Sequence, residues 1–207
     1  MKTRSVLFLV LALIFIDQAI KIYVKTNFYY NEDHKILGQD WFRLYFLENP
    51  GMAWGWKLGT GDVAKLILTF FRLAAVIWGI FYLKKIIKQR RPKEFIASVA
   101  FVYAGAFGNL LDSLFYGLIF EKSDPVTQNI ARLVRPGNGY GNFMFGNVVD
   151  MWYLPIIRTR LPDWLPFWGG EDFEFFRPVF NTADVWVTTG VVSILIFQKK
   201  FFKKRLS

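Results

Sequence analysis

Four long apolar stretches alternate with more polar segments along the chain. They cover residues 5–24, 63–83, 95–119 and 184–202, and the last of them begins at an acid, Asp184. About 20 apolar residues in a helix are enough to cross a hydrocarbon core about 30 Å thick. The pattern therefore predicts an all-α membrane protein with four transmembrane helices, formed as a single domain over residues 1–207.

Two longer segments, 25–62 and 120–180, separate these spans. Residues 41–47 carry a run of aromatic and aliphatic side chains that favours a β-strand, and the Asn-Pro-Gly that follows favours a turn. The prolines and aromatics of 152–168 favour an interfacial position. We expect a small β-sheet cradle and an interfacial helix on the outer face, with Trp41, Trp54 and Trp56 at the headgroups. The same tryptophans also suit an aromatic belt with no further role.

Composition and charge agree with a membrane protein. The chain is 54% hydrophobic and 19% aromatic, which is too apolar for an ordinary soluble domain. Its net charge of +10 is concentrated, since 13 of the 26 Lys and Arg residues lie within 2–4, 84–93 and 199–205. These bases flank apolar runs instead of forming one polar face, so nucleic acid is not the expected partner. The positive-inside rule predicts that both termini are cytoplasmic and that 25–62 and 120–180 face outward.

The N-terminus has the basic start and apolar run of a secretory signal. Its apolar character continues to Val24 without a small-x-small cleavage site, so we expect it to remain as a span. The chain has no cysteine and a single histidine, His34, which disfavours thiol nucleophiles, His-rich zinc sites and a Ser-His-Asp triad. No metal and no cofactor is expected. A Ser-Lys hydrolase using Ser113 remains open, although no partner lysine is evident.

Asp17, Lys21 and Arg72 are charged residues inside the predicted spans that need an explanation. Asp17 and Lys21 are four apart and can pair on one helix face. They form either a self-neutralising pair that reaches toward the outer surface or a polar support inside the bundle. Arg72 must face the bundle interior or reach water, and the sequence identifies no acid for it.

Four aspartates converge on one level of the predicted topology. Asp17 lies about 12 residues beyond the basic start, or roughly 18 Å, and Asp112 about 19 residues beyond Lys93, or roughly 28 Å. Asp150 stands among apolar residues in the outer segment, and Asp184 begins the last span. All four are therefore expected near the outer face.

Two aspartates at one depth suggest the chemistry of aspartic proteases. Two carboxylates about 3 Å apart cannot both ionise, so one holds a proton while the other activates water. A proton-coupled transporter is an alternative, but it predicts acids throughout the membrane depth. A non-catalytic membrane scaffold is another, and it would tolerate Asp184→Asn.

Five motifs, IDQAIK, ENPGMAWG, GNLLD, GNVVD and FNTAD, occur in this order over nearly the whole chain. Together they closely resemble the motifs of the bacterial lipoprotein signal peptidases, the signal peptidase II family. The resemblance implies an aspartic endopeptidase that removes the signal peptide from diacylglyceryl-modified prolipoproteins, cutting before the lipid-modified cysteine. It also implies a monomer in the bacterial cytoplasmic (inner) membrane, with lipid around it and its active site near the outer face.

The same resemblance assigns roles to individual residues. Asp150 and Asp184 would be the catalytic pair. Substrate contacts or supports would be Asp17, Lys21, Asn49, Gly51, Ala53, Gly108, Asn109, Asp112, Asn147 and Asn181. Of these, Asn49 and Asn109 carry amides able to bond a substrate backbone.

The chain departs from the family pattern in two respects. Ser113 stands where the family usually has arginine after the acid of GN-x-x-D, and Arg72 or Arg177 is the hypothetical replacement. The intervals from Asp112 to Asp150 and from Asp150 to Asp184 are also longer than usual. We expect the catalytic chemistry to be retained and the covering of the site to differ.

Overall fold

The computed structural model describes residues 1–50, 62–164, 166, 169–175 and 178–202. Three long helices come first in the bundle: α1 (Thr3–Asn27), α2 (Asp62–Lys88) and α3 (Lys93–Leu111). A π-helical turn, Asp112–Tyr116, carries α3 into the short α4 (Gly117–Ile119). Two helices end the described chain, α5 (Thr182–Ile196) and α6 (Gln198–Phe202).

Three of the described helical stretches are long and apolar enough to cross a membrane: α1, α2 and the continuous run Lys93–Ile119. They coincide with the predicted spans 5–24, 63–83 and 95–119. The fourth predicted span, 184–202, corresponds to α5 and α6, and α5 is a shorter apolar helix. Large apolar side chains such as Phe8, Phe71 and Trp78 point outward from the bundle, as expected for helices whose solvent is lipid.

Helix α3 forms the centre of the bundle. It packs most extensively against α5 and also against α1 and α2. Small residues permit the close approach to α5, because a Cβ atom on Gly105 would collide with the carbonyl oxygen of Ala183. Side chains such as Val10 of α1, Ile86 of α2 and Ile96 of α3 form an apolar core between these helices.

A four-stranded antiparallel sheet covers one end of the bundle. Its strands are β1 (Asp33–Lys35), β2 (Arg43–Asn49), β3 (Val148–Tyr153) and β6 (Val179–Phe180), in the order β1-β2-β3-β6. The strand predicted at 41–47 is thus found two residues later. Strands β4 (Ile157–Arg160) and β5 (Asp172–Phe175) form a separate antiparallel pair.

The sheet is anchored to the helices by a second apolar cluster. Phe46 of β2 and Met151 of β3 pack there with Val24 at the end of α1 and Phe120 after α4. This packing buries nearly all of β3 and fixes Asp150 above the helix ends.

The expectation of an interfacial helix at 152–168 needs correction. The described part of this segment consists of strand ends, β4 and turns, with no helix. Pro155, Pro162 and Pro166 interrupt helical hydrogen bonding, and the β-branched side chains Ile156 and Thr159 favour extended backbone. Trp41 is exposed, as expected, whereas Trp54 and Trp56 lie outside the described residues.

Candidate active site

The residue that organises the site is Asn181, the N-cap of α5. Its side-chain oxygen accepts a hydrogen bond from the backbone N–H of Asp184 at 3.0 Å. In return, Asp184 Oδ2 accepts from the backbone N–H of Asn181 at 3.2 Å. This reciprocal arrangement is a capping box, and it explains locally why an acid stands at the start of an apolar helix.

Asn181 also contacts the second aspartate predicted for the catalytic pair. Its Nδ2 donates to Asp150 Oδ1 at 2.6 Å, while Asn49 Nδ2 donates to Asp150 Oδ2 at 3.2 Å. The paired strands β2 and β3 bring Asn49 to Asp150, with Asn49 opposite Val148 in the register. One asparagine side chain therefore links the segments that carry Asp150 and Asp184.

The surroundings of Asp150 favour its protonated form. The side chain is buried, with the residue only 5% exposed. Burial, followed by the nearby negative charge of Asp184, raises the pKa of Asp150 to about 7, against the opposing effects of Asn181, Lys21 and Asn49. Asp150 can therefore gain and lose a proton near neutral pH.

Asn109 holds the other oxygen of Asp184. Its Nδ2 donates to Asp184 Oδ1 at 3.0 Å, and its own side-chain oxygen accepts from Lys21 Nζ at 2.8 Å. Both oxygens of Asp184 thus accept hydrogen bonds from fixed donors on different elements. The site is connected through Asn109 to helix α1.

Lys21 forms the centre of a buried ion cluster beneath the pair. Its Nζ lies 3.0 Å from Asp17 Oδ2 and 2.8 Å from Asp112 Oδ2, and none of the three side chains is exposed. The carboxylates reach further, because Asp17 accepts from the N–H of Ala183 at 2.8 Å and Asp112 from that of Val149 at 3.4 Å. Of the two interpretations of Asp17 and Lys21, the polar support inside the bundle is therefore the one observed.

Gly108 has a steric role beside this cluster. A Cβ atom there would lie 2.5 Å from Asp17 Oδ2. Its carbonyl oxygen accepts from Gln18 Nε2, which also donates to Asp112 Oδ1 at 2.9 Å. Gln18 is held in turn by the hydroxyl of Tyr116 at 3.1 Å. The sequence placed Gln18 in a motif without assigning it a role.

Asn147 lies at the edge of the site and joins a second polar network. Its Nδ2 donates to Glu48 Oε2 at 3.0 Å, and its side-chain oxygen accepts from Lys65 Nζ at 2.5 Å. Its backbone N–H donates to the hydroxyl of Tyr140 at 2.6 Å. Asn147 therefore supports the loop before β3, and these three hydrogen bonds go to residues other than the two aspartates.

Glu48 and Lys25 form a buried ion pair that sequence reasoning missed. Lys25 Nζ also donates to Ser123 Oγ at 3.2 Å and lies 5.2 Å from the ring centre of Tyr140. Two signals were available: Lys25 is one helical turn after Lys21, and Glu48 immediately precedes Asn49. The pair ties β2, and with it Asn49, to the end of α1.

The remaining predicted residues either lie outside the described part of the chain or contact other groups. Gly51, Ala53 and Arg177 lie outside the described residues. Arg72 contacts the hydroxyl of Ser113, with Nη1 at 2.7 Å from Oγ. Within the described ranges, no group of three or more His, Cys, Asp or Glu side chains is arranged to hold a metal ion.

The sequence of this chain is similar to a known family and to named proteins. A family model described as Signal peptidase (SPase) II matches residues 9–200. The lipoprotein signal peptidase of Porphyromonas gingivalis is 42% identical over 189 residues, which are 91% of this chain and 80% of that protein. That of Amoebophilus asiaticus is 34% identical over 188 residues, covering 87% of this chain and 72% of that protein.

Solved structures share the fold at low sequence identity. A bacterial membrane enzyme determined by the in meso method at 2.3 Å resolution has a TM-score of 0.60 and 20% identity, covering 99% of this chain and 94% of that one. Another, at 1.9 Å resolution, has the same TM-score and 19% identity. Because the family model and the two relatives each match most of its length, this chain belongs to the signal peptidase II family.

Proposed function

We propose that Asp150 and Asp184 are the catalytic pair with which this member of the signal peptidase II family removes signal peptides from prolipoproteins. The observation that carries the proposal is Asn181, which bonds to Asp150 through its side-chain amide and to Asp184 through the capping box. A carboxyl group with a pKa near the working pH, next to a second carboxylate, is the arrangement that acid–base hydrolysis of a peptide needs.

The two acids take complementary roles in this mechanism. Asp184 accepts a proton from a water molecule, whose oxygen attacks the carbonyl carbon of the scissile peptide. Asp150 gives its proton to the carbonyl oxygen, producing a tetrahedral diol. When the C–N bond breaks, Asp184 returns its proton to the leaving nitrogen and Asp150 recovers one from a diol hydroxyl. The products are the carboxyl end of the signal peptide and a free amino group, and both acids regain their starting states.

The proposed substrate is a prolipoprotein cut before a cysteine that carries diacylglyceryl. An open apolar groove of about 360 Å³ beside the start of α5 supports a lipid-bearing substrate. Its lining side chains are Phe42, Trp152, Leu154, Phe180, Thr182 and Val185. Val185 directly follows Asp184, so a lipid chain in this groove would keep its attached cysteine close to the pair.

The proposed topology has four spans in the bacterial cytoplasmic membrane, with both termini cytoplasmic and the site near the outer face. Residues 182–202 would reach roughly 31 Å at 1.5 Å per residue, enough for a fourth span. The clusters of bases at 84–93 and 199–205 support a cytoplasmic end opposite the sheet. The proposed enzyme works as a monomer, as the family resemblance implies.

A direct test compares two forms of one precursor. Purified protein in lipid bicelles should cleave a diacylglyceryl-modified prolipoprotein and leave the unmodified precursor intact. Mass spectrometry should find the modified cysteine at the new N-terminus. Equal cleavage of both precursors would refute the proposed lipid dependence, and cleavage at another bond would refute the proposed specificity.

A further inference from the structure

Arg72 is a cation inside α2 that the mechanism above does not use. It lies mid-helix in a stretch apolar enough to span a membrane, and it is only partly exposed. Its Nη1 donates to Ser113 Oγ, and Ser113 in turn donates to the carbonyl oxygen of Asn109 at 3.0 Å. Ser113 follows Asp112 directly. The guanidinium is thus fixed beside the segment that carries Asn109 and Asp112.

Within the described ranges, Arg72 makes one side-chain hydrogen bond. A guanidinium has five N–H donors and no acceptor, and the bond to Ser113 uses one of them. In the part of the chain that the structure describes, Arg72 forms no ion pair, and no fully buried side-chain nitrogen or oxygen lacks a partner. Its remaining donors are therefore accessible to a bound molecule.

Arg72 lies within electrostatic range of three aspartates of the site. Burial disfavours its charge most strongly, while the carboxylates of Asp112, Asp184 and Asp150 favour it. Asp112 is already paired with Lys21, and both oxygens of Asp184 accept other hydrogen bonds. Among the described residues, Arg72 therefore has no carboxylate of its own as an ion-pair partner.

A peptide entering this site brings carbonyl groups that must be satisfied. Backbone carbonyls removed from water at a membrane boundary need protein donors, and a charged donor gives the stronger bond. Resting on the proposed function, we infer that Arg72 is a substrate-binding residue that donates a hydrogen bond to a backbone carbonyl oxygen of the prolipoprotein at the site. The hydrogen bond to Ser113 occupies one donor of the guanidinium and leaves the others for this contact.

The competing explanation is that Arg72 only ties α2 to α3 through Ser113. The two explanations differ in the relative effects of two variants. If Arg72 binds substrate, Arg72→Gln loses a charged hydrogen bond, which corresponds to about a 10- to 100-fold fall in kcat/KM. Ser113→Ala removes the tie but keeps the guanidinium, so its fall should be less than about threefold.

The experiment measures kcat/KM on a diacylglyceryl-modified prolipoprotein for wild type, Arg72→Gln, Arg72→Lys and Ser113→Ala. Arg135→Gln is the matched control, because it removes one exposed charge from the outer segment and should leave activity unchanged. Arg72→Lys should show an intermediate loss, since it keeps the charge and loses the planar donor pair. Arg72→Lys also provides a result that can be interpreted if thermal unfolding shows that Arg72→Gln does not fold.

Equal losses in Arg72→Gln and Ser113→Ala would overturn the inference, as would activity of folded Arg72→Gln within threefold of wild type. Neither result would affect the proposed function. A wild-type protein that fails to cleave the modified precursor would overturn both.

Discussion

Replacing Asp150 by asparagine should remove one contribution to the pH dependence of the protein's stability. The pKa of this carboxyl rises from 3.8 to about 7 on folding, so the folded protein binds more protons than the unfolded chain between these values. Stability must then fall as pH rises. The full cost of ionising Asp150 in the folded protein is about 4 kcal/mol, of which about 2.5 kcal/mol develops between pH 5 and pH 8.

The free energy of unfolding can be followed by tryptophan fluorescence while SDS is added to mixed micelles. Asp150→Asn should gain about 2.5 kcal/mol relative to wild type on going from pH 5 to pH 8. The fixed cost of the altered hydrogen bonds cancels in that difference. Asp163→Asn, which removes an exposed acid, is the control and should follow wild type at both pH values. A difference that stays constant with pH would refute the assignment of a raised pKa to Asp150.

Three further predictions concern the supports of the site. Gly108→Ala places a methyl group 2.5 Å from a carboxylate oxygen of the buried Asp17, so it should lower the free energy of unfolding by about 1–3 kcal/mol. Gly141→Ala is the control and should cost little, because its nearest neighbour, the carbonyl oxygen of Phe145, would be 3.5 Å away. Lys21→Met leaves two buried carboxylates without a counter-charge and should lower stability by about 3–5 kcal/mol or prevent folding, as unfolding in SDS would report. Lys25→Met should cost a similar amount and lower activity, while the double variant with Glu48→Gln should recover much of the stability, because no buried charge is left unpaired.

The sequence predicted those parts of the molecule that depend on local patterns. Twenty apolar residues in succession specify a spanning helix, and three of the four predicted spans coincide with helices long enough to cross a membrane. The pairing of Asp17 with Lys21 followed from their spacing of four residues. The strand near Arg43 was likewise recognisable from its aromatic and aliphatic residues.

Contacts between segments that are distant in the sequence were harder to predict. Lys25 and Glu48 are 23 residues apart, and only the packing of β2 on the end of α1 makes them partners. Arg72 was expected to need an acid, but its hydrogen-bond partner is the hydroxyl of Ser113, 41 residues away. The spacing of Asp150 and Asp184 likewise gives no sign that Asn181 bonds to both. Their pairing in the sequence analysis came from the family motifs.

The described part of 152–168 has no interfacial helix, and the reason is different. Aromatic and apolar residues at 152–168 were consistent with a helix lying at the membrane surface. Composition alone, however, does not distinguish a helix from a strand. Three prolines within the segment remove backbone donors, and the available pairing with β5 favours a strand. The three prolines therefore indicate the structure of this segment better than its composition does.

The central claim is that Asp150 and Asp184 together perform the hydrolysis, and cleavage of a diacylglyceryl-modified prolipoprotein tests it most directly. Asp150→Asn and Asp184→Asn should each lower kcat by at least about 1000-fold, because each removes one of the two proton transfers. Asp163→Asn should cleave at the wild-type rate. Substantial cleavage by either folded variant of the pair would contradict the account.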